Sequence, residues 1–237
     1  MSKSVLVLQH ADWQKPGPVL FQVAREAGVS LRVVQMWRES AADFAEFDAL
    51  ILLGGVGGQH MPFLGEEGRL IRAWMDLNRP CLGFNLGCHL LAEAAGALVG
   101  PGHAPSLGFI DGHLTHEGRK HPLFHGIGRT CRLFKWHHRV ILAPLPRNMV
   151  LLATSKDCMV EACCLEGRPH IVGLQCDNYI DIPGDVGLWL RCGGALPGQG
   201  QCDPGFAEEL MGLAQGSADE MAAVFERLLR NFFAMRR

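Results

Sequence analysis

The chain predicts an α/β fold built on a largely parallel sheet, and three observations carry that expectation. Short runs that are apolar at every position, Val5–Leu8, Ala49–Leu53 and Cys81–Phe84, read as strands buried on both faces. Helical spacing of apolar residues fills the intervals between them. Alternation of strand and helix in this order argues parallel pairing through right-handed crossovers.

The first strand is Ser4–Gln9, followed by Pro16 and Gly17 and a helical pattern through Val19, Leu20, Val23 and Ala24 that Gly28 stops. Leu31–Met36 is the second strand. Ala49–Leu53 is the third and runs into Gly54-Gly55-Val56-Gly57-Gly58. A helix is predicted over Glu66–Leu77, with Leu70, Ile71 and Trp74 on one face, and the strand Cys81–Phe84 comes next. After Gly100 the pattern changes to strand-like runs with few helices: Leu107–Leu114, Cys131–Trp136, Val150–Thr154, Met159–Leu165 and His170–Gln175. They predict a mixed β extension of the sheet. Gly193–Gln201 reads as a loop. Ser217-Ala218-Asp219-Glu220 reads as a capping box opening a last helix of about 217–235. Its stripe of Met221, Val224, Phe225, Leu228, Leu229, Phe232 and Phe233 is a core face or a dimer seam.

Composition bounds the rest. The 237 residues are expected to form a single domain, 1–237, and 48% hydrophobic against 19% charged residues exclude a disordered chain. A net charge of −2 and no basic stripe argue against nucleic acid. No apolar run reaches the length of a membrane span, and Met1-Ser2-Lys3-Ser4 lacks the features of a signal peptide, so a cytoplasmic location is expected. The nine cysteines form no CxxC pair, and read as reduced structural thiols. No metal and no cofactor is predicted.

The chemistry centres on Gly83-Phe84-Asn85-Leu86-Gly87, where the strand Cys81–Phe84 turns into a helix. A strand–turn–helix with glycine two residues either side of the turn residue is the pattern of a nucleophile elbow, in which close packing forces the turn residue out into a pocket. The turn residue here is asparagine, which has no nucleophilic oxygen or sulfur. Asparagine does tolerate the unusual backbone angles of such a turn.

Several segments together resemble the class I glutamine amidotransferase family, in particular its stand-alone, GMP-synthase-like glutaminase domains. They are Val5-Leu6-Val7-Leu8-Gln9-His10, Phe47-Asp48-Ala49-Leu50 leading to Leu53-Gly54-Gly55, the turn with Leu90-Leu91-Ala92-Glu93-Ala94, Phe134-Lys135-Trp136-His137 and Gly173-Leu174-Gln175. The resemblance implies a flavodoxin-like three-layer sandwich and a Cys–His–Glu triad that hydrolyses the amide of glutamine. In that chemistry a thiolate attacks, an imidazole shuttles the proton and a carboxylate orients the imidazole. Backbone N–H groups of Gly54, Gly55 and Leu86 would form the oxyanion hole.

Set against that family, this sequence departs around the same pocket. Asn85 stands at the position of the family's cysteine, His89 at that of a substrate-contacting glutamine, Asp177 at that of the histidine and Tyr179 at that of the glutamate. Trp136-His137-His138-Arg139 replaces the family's Trp-His-Gly-Asp, so a guanidinium stands where an acid would meet the ammonium of glutamine. If Arg139 faces the pocket, the ligand is anionic. Cys88 and His89, three and four residues past Asn85, share its helix face, and Cys88 in the first turn is the alternative thiol that a helix dipole would activate.

The favoured expectation is a repurposed member without glutaminase activity, a subunit that binds a small molecule or a partner, as a homo-oligomer or in a complex. An enzyme of different chemistry, a hydrolase or transferase using Asn85, His89, His137 and Asp177, is the second. A conventional amidotransferase captured as a variant at Asn85 is the third.

Overall fold

The computed structural model describes residues 3–41, 43–55, 63–192 and 203–235. The predicted loop at Gly193–Gln201 and the glycines at 57 and 58 lie outside them.

Nine strands form one sheet: β1 (Ser4–Gln9), β2 (Ser30–Gln35), β3 (Ala49–Leu52), β4 (Cys81–Phe84), β5 (Val99–Leu114), β6 (Thr130–Ile141), β7 (Met149–Thr154), β8 (Ala162–Leu165) and β9 (Arg168–Leu174). Their spatial order is β2-β1-β3-β4-β9-β8-β7-β5-β6. From β2 to β9 neighbours pair in parallel, and from β9 to β6 they pair antiparallel. The sheet as a whole is mixed, as predicted, with a parallel half continued by an antiparallel extension. The fully apolar strands β3 and β4 are buried along their whole length, as a central parallel strand requires.

Helices cover both faces. α1 (Pro18–Glu26) and α6 (Pro204–Ala234) bury Leu20, Val23, Phe225, Leu229 and Phe232 against one face. α2 (Leu64–Asp76) and α3 (Leu86–Ala94) bury Leu70, Ile71, Trp74, Cys88 and Leu91 against the other. The stripe of α6 is therefore core. The sequence pattern does not reveal two further helices, α4 (His116–Lys120) and α5 (Gly184–Cys192).

The last helix corrects the expected boundary. It begins at Pro204, not at Ser217, and runs 31 residues. Asp203 is its N-cap, with the carboxylate accepting the N–H of Phe206 at 3.2 Å, and Pro204 occupies the first helical position. Ser217 lies buried within the helix, where upstream turns already satisfy the backbone donors that a cap would serve. β6 likewise runs past Trp136 to Ile141, which places His137 and Arg139 on a strand.

Candidate functional site

The Asn85 turn is held by contacts that only glycine permits. A Cβ on Gly83 would lie 2.6 Å from the Gly87 carbonyl oxygen, and one on Gly87 would lie 2.4 Å from the Leu52 Cβ. The absence of both atoms lets α3 descend directly onto β3 and β4. The N–H of Gly87 reaches the Leu53 carbonyl at 3.2 Å, and that of Asn85 reaches Leu174 at 2.9 Å. Asn85 between them takes φ 44° and ψ −107°, a positive-φ conformation that costs a non-glycine residue about 1–3 kcal/mol.

Asp177 comes to Asn85 from the end of β9. Its N–H donates to the Phe134 carbonyl at 2.8 Å, while the Asn178 side chain bridges the Phe134 N–H and the Arg132 carbonyl, each at 2.9 Å. The loop after β9 is thereby fixed to β6. In this position the Asn85 amide donates to Asp177 Oδ2 at 2.7 Å, with a longer approach to the Trp136 carbonyl at 3.4 Å. Tyr179 completes the group: its hydroxyl accepts the Gly54 N–H at 3.1 Å and lies beside the Asp177 carboxyl. A Cβ on Gly54 would sit 2.4 Å from Asp177 Oδ1 and 2.5 Å from the Tyr179 oxygen, so glycine is required here for contact and not for φ. Phe84 and Trp189 pack on the Tyr179 ring at 5.3 and 6.5 Å between centroids.

The electrostatics of this group follow from its burial. Desolvation pushes Asp177 up to about 8, against the hydrogen bonds from Asn85 and Tyr179, so the acid is largely protonated at neutral pH. Burial likewise raises the Tyr179 phenol. His89 is lowered to about 4 by burial, opposed by a 2.7 Å hydrogen bond between Nε2 and Gln175 Oε1. Gln175 Oε1 also accepts the Ile141 N–H at 3.0 Å, which fixes the orientation of His89. His137 stands 6.0 Å from His89, ring to ring, and burial lowers it well below the ordinary range. Among the described residues neither of its ring nitrogens has a partner at hydrogen-bonding geometry.

Of the residues the sequence singled out, Asn85, Asp177, Tyr179 and Gly54 meet directly, and Gly55 and Leu86 pack against one another beside them. His89 and His137 face each other on the adjoining side. Two do not join the group. Arg139 donates to the Val99 carbonyl at 3.1 Å and pairs with Glu93 at 3.6 Å on the half-exposed end of α3, so its guanidinium is engaged by a local acid. Cys88 is fully buried in the core beneath α3 and meets Gly173, whose Cβ would lie 2.6 Å from the thiol sulfur. Desolvation raises that thiol far above its ordinary value and overrides the helix-dipole effect expected of its first-turn position. Among the described residues no cluster of three or more metal-ligating side chains occurs. Nor is any helix among them long and apolar enough to cross a membrane.

The sequence reading did not anticipate the pairing of His10 with Glu67. His10 Nε2 lies 2.8 Å from Glu67 Oε1, and His10 Nδ1 lies 3.1 Å from the Gly54 carbonyl, with both side chains fully buried. The available signal was Glu67 itself, a carboxylate on the same helical stripe as Leu70, Ile71 and Trp74.

Comparison with known proteins agrees with this architecture. The family model for glutamine amidotransferase class-I matches residues 18–176. A glutamine amidotransferase-like protein of Salmonella typhimurium, YfeJ, is 27% identical over 150 residues, 60% of this chain and 61% of that protein. A subunit of the glutamine-hydrolysing GMP synthase of Pyrococcus abyssi is 29% identical over 119 residues, 50% of this chain and 61% of that protein. The match thus spans 61% of the length of each of these two relatives. The crystal structure of a glutamine amidotransferase from Thermotoga maritima superposes with a TM-score of 0.83 at 21% identity, covering 99% of this chain and 100% of that one. One from Methylobacillus flagellatus gives 0.83 at 21%, covering 100% and 97%. Their likeness is one of fold, and together with the matching family model it means that the chain belongs to the class I glutamine amidotransferase family.

Proposed function

We infer that this protein is a member of its family without glutaminase activity, and that it serves as a binding module for a small molecule or a partner protein. The observation that carries this reading is the 2.7 Å hydrogen bond from the Asn85 amide to Asp177. Asn85 at the turn offers no nucleophile, and the residue facing it is an acid that burial keeps protonated, with no lone pair suited to deprotonating one. The Gly54 N–H, expected as an oxyanion donor, is engaged by the Tyr179 hydroxyl. No described thiol supplies a substitute, because Cys88 is buried in a separate core with its pKa raised. The engagement of Arg139 by Glu93 removes the feature that pointed to an anionic ligand. The relative from Pyrococcus abyssi is, by its name, one subunit of GMP synthase, which supports a partner for this chain as well.

Native mass spectrometry of the purified chain tests the binding role. A co-purifying mass that is lost in both Asn85→Ala and His137→Ala supports it. A chain that carries no added mass, from a small molecule or from a protein, contradicts it.

One observation favours a second reading, an enzyme of different chemistry. Asp177, with a pKa near the working pH and a direct bond to Asn85, has the profile of a general acid. That reading requires turnover that falls as pH rises through about 8 and is abolished in Asp177→Asn.

A further inference from the structure

His10 and Glu67 lie outside the group around Asn85, yet they reach it through one peptide bond. Nδ1 of His10 faces a carbonyl oxygen, that of Gly54, at 3.1 Å, and a carbonyl only accepts, so Nδ1 carries a proton. Nε2 faces Glu67 Oε1 at 2.8 Å, so a second proton lies between the ring and the carboxylate. With the His10 pKa raised, the second proton is assigned to the ring, which makes the arrangement an imidazolium paired with a carboxylate, both fully removed from water. Burial alone would lower the His10 pKa, but the charge and hydrogen bond of Glu67, with backbone bonds from Gly54 and Leu53, raise it. Glu67 stands in the first turn of α2, at the positive end of the helix dipole.

A buried ion pair is a poor device for stability, since desolvating both charges offsets most of their attraction. Its position suggests another role. The Gly54 carbonyl and the Gly55 N–H are the two ends of one planar peptide unit, joined by amide resonance. A cationic donor on the oxygen draws electron density toward it and leaves the N–H at the other end a stronger donor. The peptide is trans, so this N–H points away from His10. Gly55 is wedged between the His10 Cβ and Leu86, which follows the Asn85 turn; a Cβ there would lie 2.9 Å from the first and 2.4 Å from the Leu86 side chain.

We propose that His10 and Glu67 form a positioning pair that holds and polarises the Gly54–Gly55 peptide, making the Gly55 N–H the strengthened backbone donor of the site. The group such a donor takes is a carbonyl or carboxylate oxygen. That last step rests on the reading of the Asn85 turn as a ligand site; the polarisation does not.

Amide NMR on the ligand-free full chain, assigned at Gly54 and Gly55, tests it. His10→Gln retains a donor for the carbonyl without the charge, and Glu67→Gln removes the counter-charge. The expected result is an upfield shift of the Gly55 amide proton in both variants. The Gly54 amide proton, held by the Tyr179 hydroxyl, stays in place. An unmoved Gly55 resonance overturns the proposal. So does a common shift of Gly54 and Gly55, which is what a merely structural disturbance of the turn produces. Because no ligand is present, a negative result counts against the pair alone, and the native mass measurement decides the binding role separately.

Discussion

Asp177 carries the most pH-sensitive prediction at the scale of single residues. Its pKa is raised from 3.8 to about 8, so the folded chain holds this proton more tightly than the unfolded chain does. The associated stability is whole below about pH 4 and is lost as pH climbs through about 8. Denaturant melts at pH 5 and pH 9 are expected to show the wild type weakening, by on the order of 2–5 kcal/mol from this group. Asp177→Asn, which keeps an acceptor for the Asn85 amide without the charge, is expected to flatten that difference. His89 acts in the opposite sense, since its pKa is lowered from 6.5 to about 4. Its contribution is present above pH 6.5 and is lost as pH falls through about 4. These residues were legible in the sequence because the turn pattern and the motif order place them at one sheet end. Arg139 and Cys88 were not, since the direction of a side chain depends on partners such as Glu93 and Gly173 that no spacing reveals.

At the scale of elements, the glycines of the turn and the cap of α6 separate close contact from local propensity. Gly87→Ala would bring a Cβ within 2.4 Å of Leu52 and is expected to cost about 1–3 kcal/mol or more, read as a lowered denaturation midpoint. Gly212→Ala in α6, where nothing lies within 4 Å, is expected to stabilise by about 0.5–1 kcal/mol in the same assay. Asp203→Ala is expected to cost about 0.5–2 kcal/mol as the loss of a helix cap. Strands β1, β3 and β4 were readable because unbroken apolar runs have few alternatives. The start of α6 was not, because Gly205, Gly212 and Gly216 lower its local propensity and burial against the sheet overrides them. β5 is longer than its pattern predicts for a related reason. Its first residues hold Gly100, Pro101, Gly102 and Pro105, yet Val99–Pro101 pair with β6, and after an irregularity that takes in Gly102 and Pro105 the pairing resumes at Ser106.

At the scale of the whole molecule, two cores on opposite faces of one sheet hold the Asn85 turn from both sides. Phe84, the residue before the turn, packs on Phe225 of α6 at 5.9 Å between ring centroids, and Cys88 and Leu91, just after it, pack in the opposite core. The turn is therefore set by global packing, and its strained backbone persists without a nucleophile to justify it. The family scaffold can therefore hold this turn whichever side chain occupies it. Release of ammonia from L-glutamine, followed over a range of substrate concentrations with the unmodified chain, is the sharpest test of the proposed loss of glutaminase chemistry. No release above the enzyme-free control is expected. Saturable release that disappears in Asn85→Ala would contradict that loss.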